Sequence, residues 1–190
     1  MTMPDRSRDL ALVRDDLAYH QARVLLLVTA VAAAQGHSGK VDGLTKLAKL
    51  DFLLRYPALA PSVLDRLDPA DARLHLADDD RADPANAEAP MIRYKYGPWD
   101  DRYYPVIGAL VSRGLLRYAR GRRGSVALAP TLAGRALARQ LGAASEWNEI
   151  ADRSRAIADA SSGLTGNALK DLIYDRLAAL MDRPHRETIQ

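Results

Sequence analysis

Apolar residues recur every three or four positions along most of the chain, the spacing that lays one stripe along a helix. Leu17, Val24, Leu27, Val28 and Val31 form such a stripe and predict a first helix over Asp15 to Ala34. Leu25 and Leu26 widen its apolar face, so this helix is expected to be central. Gly36 suits its left-handed end. Leu44, Leu47, Ala48, Leu50, Phe52 and Leu54 predict a second helix over Leu44 to Arg55, with Lys46, Lys49 and Arg55 on its wet side. Tyr56-Pro57 stops it, because a residue before proline avoids the helical region. Pro61 opens a short third helix to Leu67.

Residues 68–90 lose the period and are dominated by Asp, Ala and Pro. They read as a mobile acidic loop, with a short strand over Arg73 to Leu76 as the alternative. Met91 to Tyr96 alternates and predicts a strand. Pro98 then begins a helix through Arg113, striped by Tyr103, Val106, Ile107, Leu110 and Val111. Residues 115–119 and 125–129 are short β-prone runs about the turn Arg120-Gly-Arg-Arg-Gly124, which predicts a hairpin. Thr131 caps a helix over Leu132 to Ala144. Further helices span Glu146 to Ala160 and Thr165 or Gly166 to Met181. Helices followed by a two-stranded wing are the order of a winged helix. The expected fold is therefore mainly α with a small β-hairpin wing: a winged-helix domain over 15–145 and a C-terminal helical extension over 146–190.

Charge sharpens this picture. The net charge is only +3, but residues 102–145 hold eight arginines, at 102, 113, 117, 120, 122, 123, 135 and 139, and no acid. The flanking stretches are net acidic. A segregated cationic block favours an anionic partner, or it is an arginine-rich solvated face. Duplex binding would place Arg102, Arg113, Arg120, Arg122 and Arg123 against phosphates. The C-terminal stripe Leu169, Ile173, Leu177 and Leu180 either buries in the body or lies in a partner's groove.

Cysteine is absent, so disulfides and thiolate metal sites are excluded. The N-terminus is charged and lacks a signal-peptide apolar core, and the longest apolar run, Val24 to Ala34, is too short to span a bilayer. A cytoplasmic protein is expected, with no membrane partner. The four histidines, at 20, 37, 75 and 185, show no metal-ligand spacing. Gly36-His-Ser-Gly-Lys40 fails the phosphate-loop pattern, with Ala34 where the first Gly belongs, Val41 where Ser or Thr belongs, and a helix rather than a strand before it. Asp78-Asp-Asp80 reads as solvated, and no nucleophile elbow is present. Neither catalysis, cofactor, metal nor small-molecule substrate is expected.

Two stretches carry a family resemblance: Gly43-Leu-Thr-Lys-Leu-Ala-Lys-Leu-Asp-Phe-Leu-Leu-Arg-Tyr-Pro57, and Arg93-Tyr-Lys-Tyr-Gly-Pro-Trp-Asp-Asp-Arg-Tyr-Tyr104 with Leu110-Val-Ser-Arg-Gly-Leu-Leu116. Over roughly residues 20–140 the chain resembles the middle components of bacterial ABC-three-component systems in Lamassu-like antiphage defence. That resemblance implies a non-catalytic accessory subunit that docks on an SMC-like or ABC-type ATPase, often with an effector encoded alongside. A basic wing would suit an ATPase that loads on DNA. The same Lys-Leu-x-Lys-Leu and Tyr-Gly-Pro grammar also resembles Panacea-type antitoxins, and the alternative role is a DNA-binding winged-helix regulator or antitoxin.

Overall fold

The computed structural model describes residues 16–85 and 90–189. Positions 1–15, 86–89 and 190, including part of the acidic segment, lie outside the described residues. The chain is mainly helical with a small antiparallel sheet. No helix among the described residues is long and apolar enough to cross a membrane.

Helix α1 (Leu17–Ala33) starts at Asp16, whose carboxylate accepts from the Ala18 amide at 2.8 Å. From Val24 to Val31 its leucines and valines are all buried, because this part of the helix runs through the middle of the molecule. A two-residue strand, β1 (Val41–Asp42), leads into α2 (Leu44–Arg55). The one-turn helix α3 (Ala60–Val63) follows. Within the acidic segment a 3-10 turn (Ala72–Leu74) and helix α4 (Asp78–Ala82) occur where a loop was expected, and Arg73 to Leu76 forms no strand. Burial of Leu74, the Arg73–Asp159 and His75–Asp152 pairs, and Arg153 donating to the Leu74 carbonyl hold this turn on the helical body.

Strands β2 (Ile92–Tyr94) and β3 (Gly97–Trp99) pair antiparallel. The chain's tail joins them: the Arg93 and Ile189 amides donate to the Glu187 and Met91 carbonyls. Pro98 is thus a strand residue, not the start of a helix. Pairing through Gly97, at φ 97°, delays helix α5 to Tyr103–Ser112. Strands β4 (Leu116–Arg120) and β5 (Val126–Pro130) form the expected hairpin, and β1 pairs with the far edge of β5, giving the order β1-β5-β4.

Helices α6 (Leu132–Ala143), α7 (Asn148–Ala160), α8 (Gly166–Arg176) and α9 (Ala178–Met181) complete the chain. The last expected helix is broken at Leu177, at φ −118° and ψ 34°. Helix α7 packs on α1, and α8 on α2. Ile157, Leu169, Ile173 and Met181 join the same buried cluster as Val28, Leu47 and Phe52, so residues 146–189 contribute to the core. The wet side expected for α2 does not exist, since Lys46, Lys49, Asp51 and Arg55 are all buried. The β2-β3 hairpin, α8 and other polar side chains cover that face.

Candidate functional site

The arginine block separates into two environments. Arg117 and Arg120 stand exposed on β4, and Arg122 and Arg123 stand exposed at the hairpin tip. Among the described residues none of these four has a carboxylate within ion-pair distance. The tip closes locally. The Gly121 amide donates to the Ser125 carbonyl at 2.7 Å, and the Ser125 hydroxyl donates to the Arg122 carbonyl at 2.9 Å. A Cβ on Gly121 would stand 2.5 Å from the Ser125 hydroxyl, so this position admits only glycine without rearrangement. Arg123 sits in the left-handed region at φ 52°, which costs an L-residue about 1 kcal/mol. Lys40 anchors the hairpin by donating to the Arg120 carbonyl at 2.8 Å. Arg113, at the end of α5, is exposed and donates to Gln21 at 3.1 Å.

Arg102 stands apart from the hairpin, half-buried at the start of α5 and engaged with acidic and imidazole groups. Its guanidinium grips Asp100 through Nε at 2.8 Å and Nη2 at 2.9 Å, and its Nη1 lies 2.8 Å from His20 Nε2. Asp100 also accepts from Arg55 at 2.8 Å. Arg55 in turn meets Asp51 at 2.8 Å, and Asp51 accepts from Arg23 at 2.8 Å and from the Tyr103 hydroxyl at 2.7 Å. His20 closes the chain with Nδ1 2.5 Å from Arg23 Nη1. A neutral imidazole has one lone pair for the two guanidinium groups that flank it.

Burial alone would push the Asp51 carboxyl up, but Arg23 and Arg55 together hold it well below the usual carboxylate range. Asp100 is held at about 2: burial acts upward, and the Arg102 hydrogen bonds and the Arg55 charge outweigh it. Burial and the neighbouring Asp51 charge raise the Tyr103 hydroxyl, which stays a donor. This network ties α1, α2 and the start of α5 together. Arg23, Asp51, Arg55 and Asp100 pair with one another in the interior, and Arg102 is half-buried at the rim.

The same region explains the two stretches that carry the family resemblance. They meet face to face. Lys49 Nζ donates to the Pro98 carbonyl at 3.1 Å, and its Cε and Nζ would lie 3.3 Å from any Cβ on Gly97. Burial lowers Lys49 to about 7. Tyr56 donates to the Ile189 carbonyl at 2.7 Å and accepts from the Met91 amide at 3.0 Å. The Lys49, Asp51, Arg55, Gly97-Pro98 and Asp100 positions of these stretches therefore make structural contacts. Arg23 and His20 were missed from the sequence, because nothing local marks a partner 28 or 82 residues away.

A polar cleft of about 500 Å³ lies beside the hairpin tip. His37, Asp42 and Lys46 line it together with Arg122, Arg123 and Thr165. His37 Nε2 donates to the Ala158 carbonyl at 2.8 Å, which leaves Nδ1 to accept from Lys46 Nζ at 3.0 Å. Burial lowers both the His37 and the Lys46 pKa. A second cavity of about 590 Å³, mostly apolar, opens between α1, α6 and α7, walled by Ala30, Ala33, Ala138, Gly142 and Ala151.

Of the two placements open to the C-terminal leucine stripe, the structure shows burial in the body. Leu169 and Ile173 are fully buried against the body, and Leu177 and Leu180 are half-buried on it. Residues at the first two positions cannot reach a partner while α8 stays docked on α2. No family model, curated protein or solved structure matches the chain.

Proposed function

We propose that this chain is a non-catalytic winged-helix protein that binds the phosphate backbone of duplex nucleic acid through its basic hairpin. The element order supports the winged-helix assignment. A short strand between the first two helices pairs with the second strand of a hairpin, and a helix directly precedes that hairpin. In this reading α1, α2 and α5 are the three helices, and residues 56–102 are an insertion between the second and third.

The observation that carries the function is the hairpin's charge. Arg117, Arg120, Arg122 and Arg123 project into solvent with no carboxylate partner among the described residues, and no acid occurs between 102 and 145. Arginine forks suit phosphate oxygens, and such contacts position a protein without reading sequence. The exposed side of α5 offers Tyr104, Gly108 and Ser112 ahead of Arg113, a sparse set for base readout.

Fluorescence anisotropy with a labelled random-sequence duplex tests the proposal. The wild type binds at low salt, and the variant with Arg117, Arg120, Arg122 and Arg123 all changed to Ala loses at least about tenfold in affinity. Equal affinity of the two proteins, or no binding by either, contradicts it.

A second reading, accessory subunit of an SMC-like or ABC-type ATPase, keeps its basis in the resemblance. The open apolar groove between α1, α6 and α7 favours it, since small side chains there let another helix approach closely. Leu132, 87% exposed, adds an apolar contact on α6. Where a neighbouring gene encodes an SMC-like or ABC-type ATPase, size-exclusion chromatography of the two proteins should give one co-eluting complex, and separate elution, or no such gene, removes this reading.

A further inference from the structure

We infer that the cleft beside the hairpin tip is an anion site that takes the phosphate group of a phosphate-bearing ligand, with Lys46 as its buried cation. Three cationic side chains from distant parts of the sequence converge there: Lys46 from α2, and Arg122 and Arg123 from the tip. Arg122 lies close enough to Lys46 to disfavour its charge. Lys46 is only 6% exposed, and its ammonium makes one hydrogen bond, to a neutral imidazole. Among the described residues no carboxylate stands within 4.0 Å of it. Asp42, which also lines the cleft, acts on it from beyond that distance, and its buried Oδ1 makes no hydrogen bond and stands 3.9 Å from Lys40 Nζ.

A buried ammonium without a counter-ion is costly, and an anion seated against it relieves the cost. His37 serves as a positioning residue. The Ala158 carbonyl fixes its tautomer, so its lone pair holds the ammonium in place. Two exposed guanidinium groups and one buried ammonium match an anion with several acceptor oxygens, and the hydroxyl of Thr165 adds a neutral donor. The volume of about 500 Å³ admits a group larger than inorganic phosphate and lies within the usual range for a small-ligand pocket.

Two sources share this chemistry: a free nucleotide, and a phosphate of the duplex proposed above. The site shares Arg122 and Arg123 with that surface but stands separately from it, because Lys46 plays no part in binding along β4.

Isothermal titration with inorganic phosphate and with ATP tests the site. Both should bind, ATP more tightly. Lys46→Met, and independently Arg122→Ala with Arg123→Ala, should each weaken ATP by about tenfold or more. Arg117→Ala with Arg120→Ala should leave ATP affinity unchanged while weakening the duplex. The tip double variant changes exposed residues only, so it guards against loss of folding in Lys46→Met. The duplex affinity of Lys46→Met identifies the source: if it falls along with ATP affinity, the cleft seats a backbone phosphate, and if it holds, the cleft seats a free nucleotide. No heat with either probe, or ATP binding insensitive to both the Lys46 and the tip variants, overturns the inference whatever the duplex result.

Discussion

Gly134 has no room for a side chain. A Cβ there would stand 2.0 Å from the Leu115 carbonyl oxygen. Beside it Thr131 accepts from the Gly134 amide at 3.0 Å and donates to the Gly114 carbonyl at 2.6 Å. The Thr-x-x-Gly spacing is therefore a clamp between the end of α5 and the start of α6. Gly134→Ala should cost about 2 kcal/mol in urea unfolding, through overpacking against backbone. Lys49 works in the other direction. Its pKa near 7 in the folded chain lies below 10.5, so the unfolded chain holds the extra proton between those values, and stability rises with pH across that window. Lys49→Met should be about 2 kcal/mol more stable at about pH 6, less whatever the orphaned Pro98 carbonyl loses, and the advantage should shrink as pH climbs toward 10.5. An unchanged or lower midpoint for Lys49→Met at about pH 6 would show that the ammonium is well solvated. Residue identity alone announced neither effect. The lysines of α2 fall where a wet face belongs by periodicity, and only the packing of Gly97-Pro98 over them reveals their burial.

At the scale of elements, the hairpin is where sequence and structure agree best. Its alternating runs and glycine-bounded turn are local signals, and local signals survive folding. Elements shaped by distant partners were harder to read. Pro98 becomes a strand residue because the 92–94 run lies opposite it, and Leu177 breaks the last helix though the apolar stripe runs on. The tip should tolerate change without loss of fold. Arg122→Ala with Arg123→Ala should leave the thermal midpoint within about 2 °C, because surface substitutions usually shift stability by under about 0.5 kcal/mol. Arg123→Gly should remove the left-handed strain while removing a cation, so its stability holds or rises as its affinity for duplex falls. A clear loss of stability in Arg123→Gly would mean that the guanidinium supports the tip.

For the whole molecule, the uneven charge seen along the chain resolves into an inside and an outside. Arg23 and Arg55 surround Asp51 and Asp100 in the core with Arg102 half-buried at its edge on Asp100, while the hairpin arginines stay in solvent. The core network makes the fold acid-sensitive. Asp51 and Asp100 both sit below 3.8 when folded, so the stability they contribute is complete above that value and is lost as pH falls through their folded values. Asp51→Asn should flatten this acid limb and cost on the order of 3 kcal/mol at neutral pH, by leaving buried guanidinium groups uncompensated. The exposed arginines make the functional prediction. The most direct test is the salt dependence of duplex binding, plotted as log affinity against log salt concentration. The account predicts a slope of roughly −4 for the wild type, near 0.9 per phosphate contacted, and a slope shallower by about 2 when Arg122 and Arg123 are changed to Ala. A wild-type slope near zero, or one that the tip substitutions leave unchanged, would contradict it.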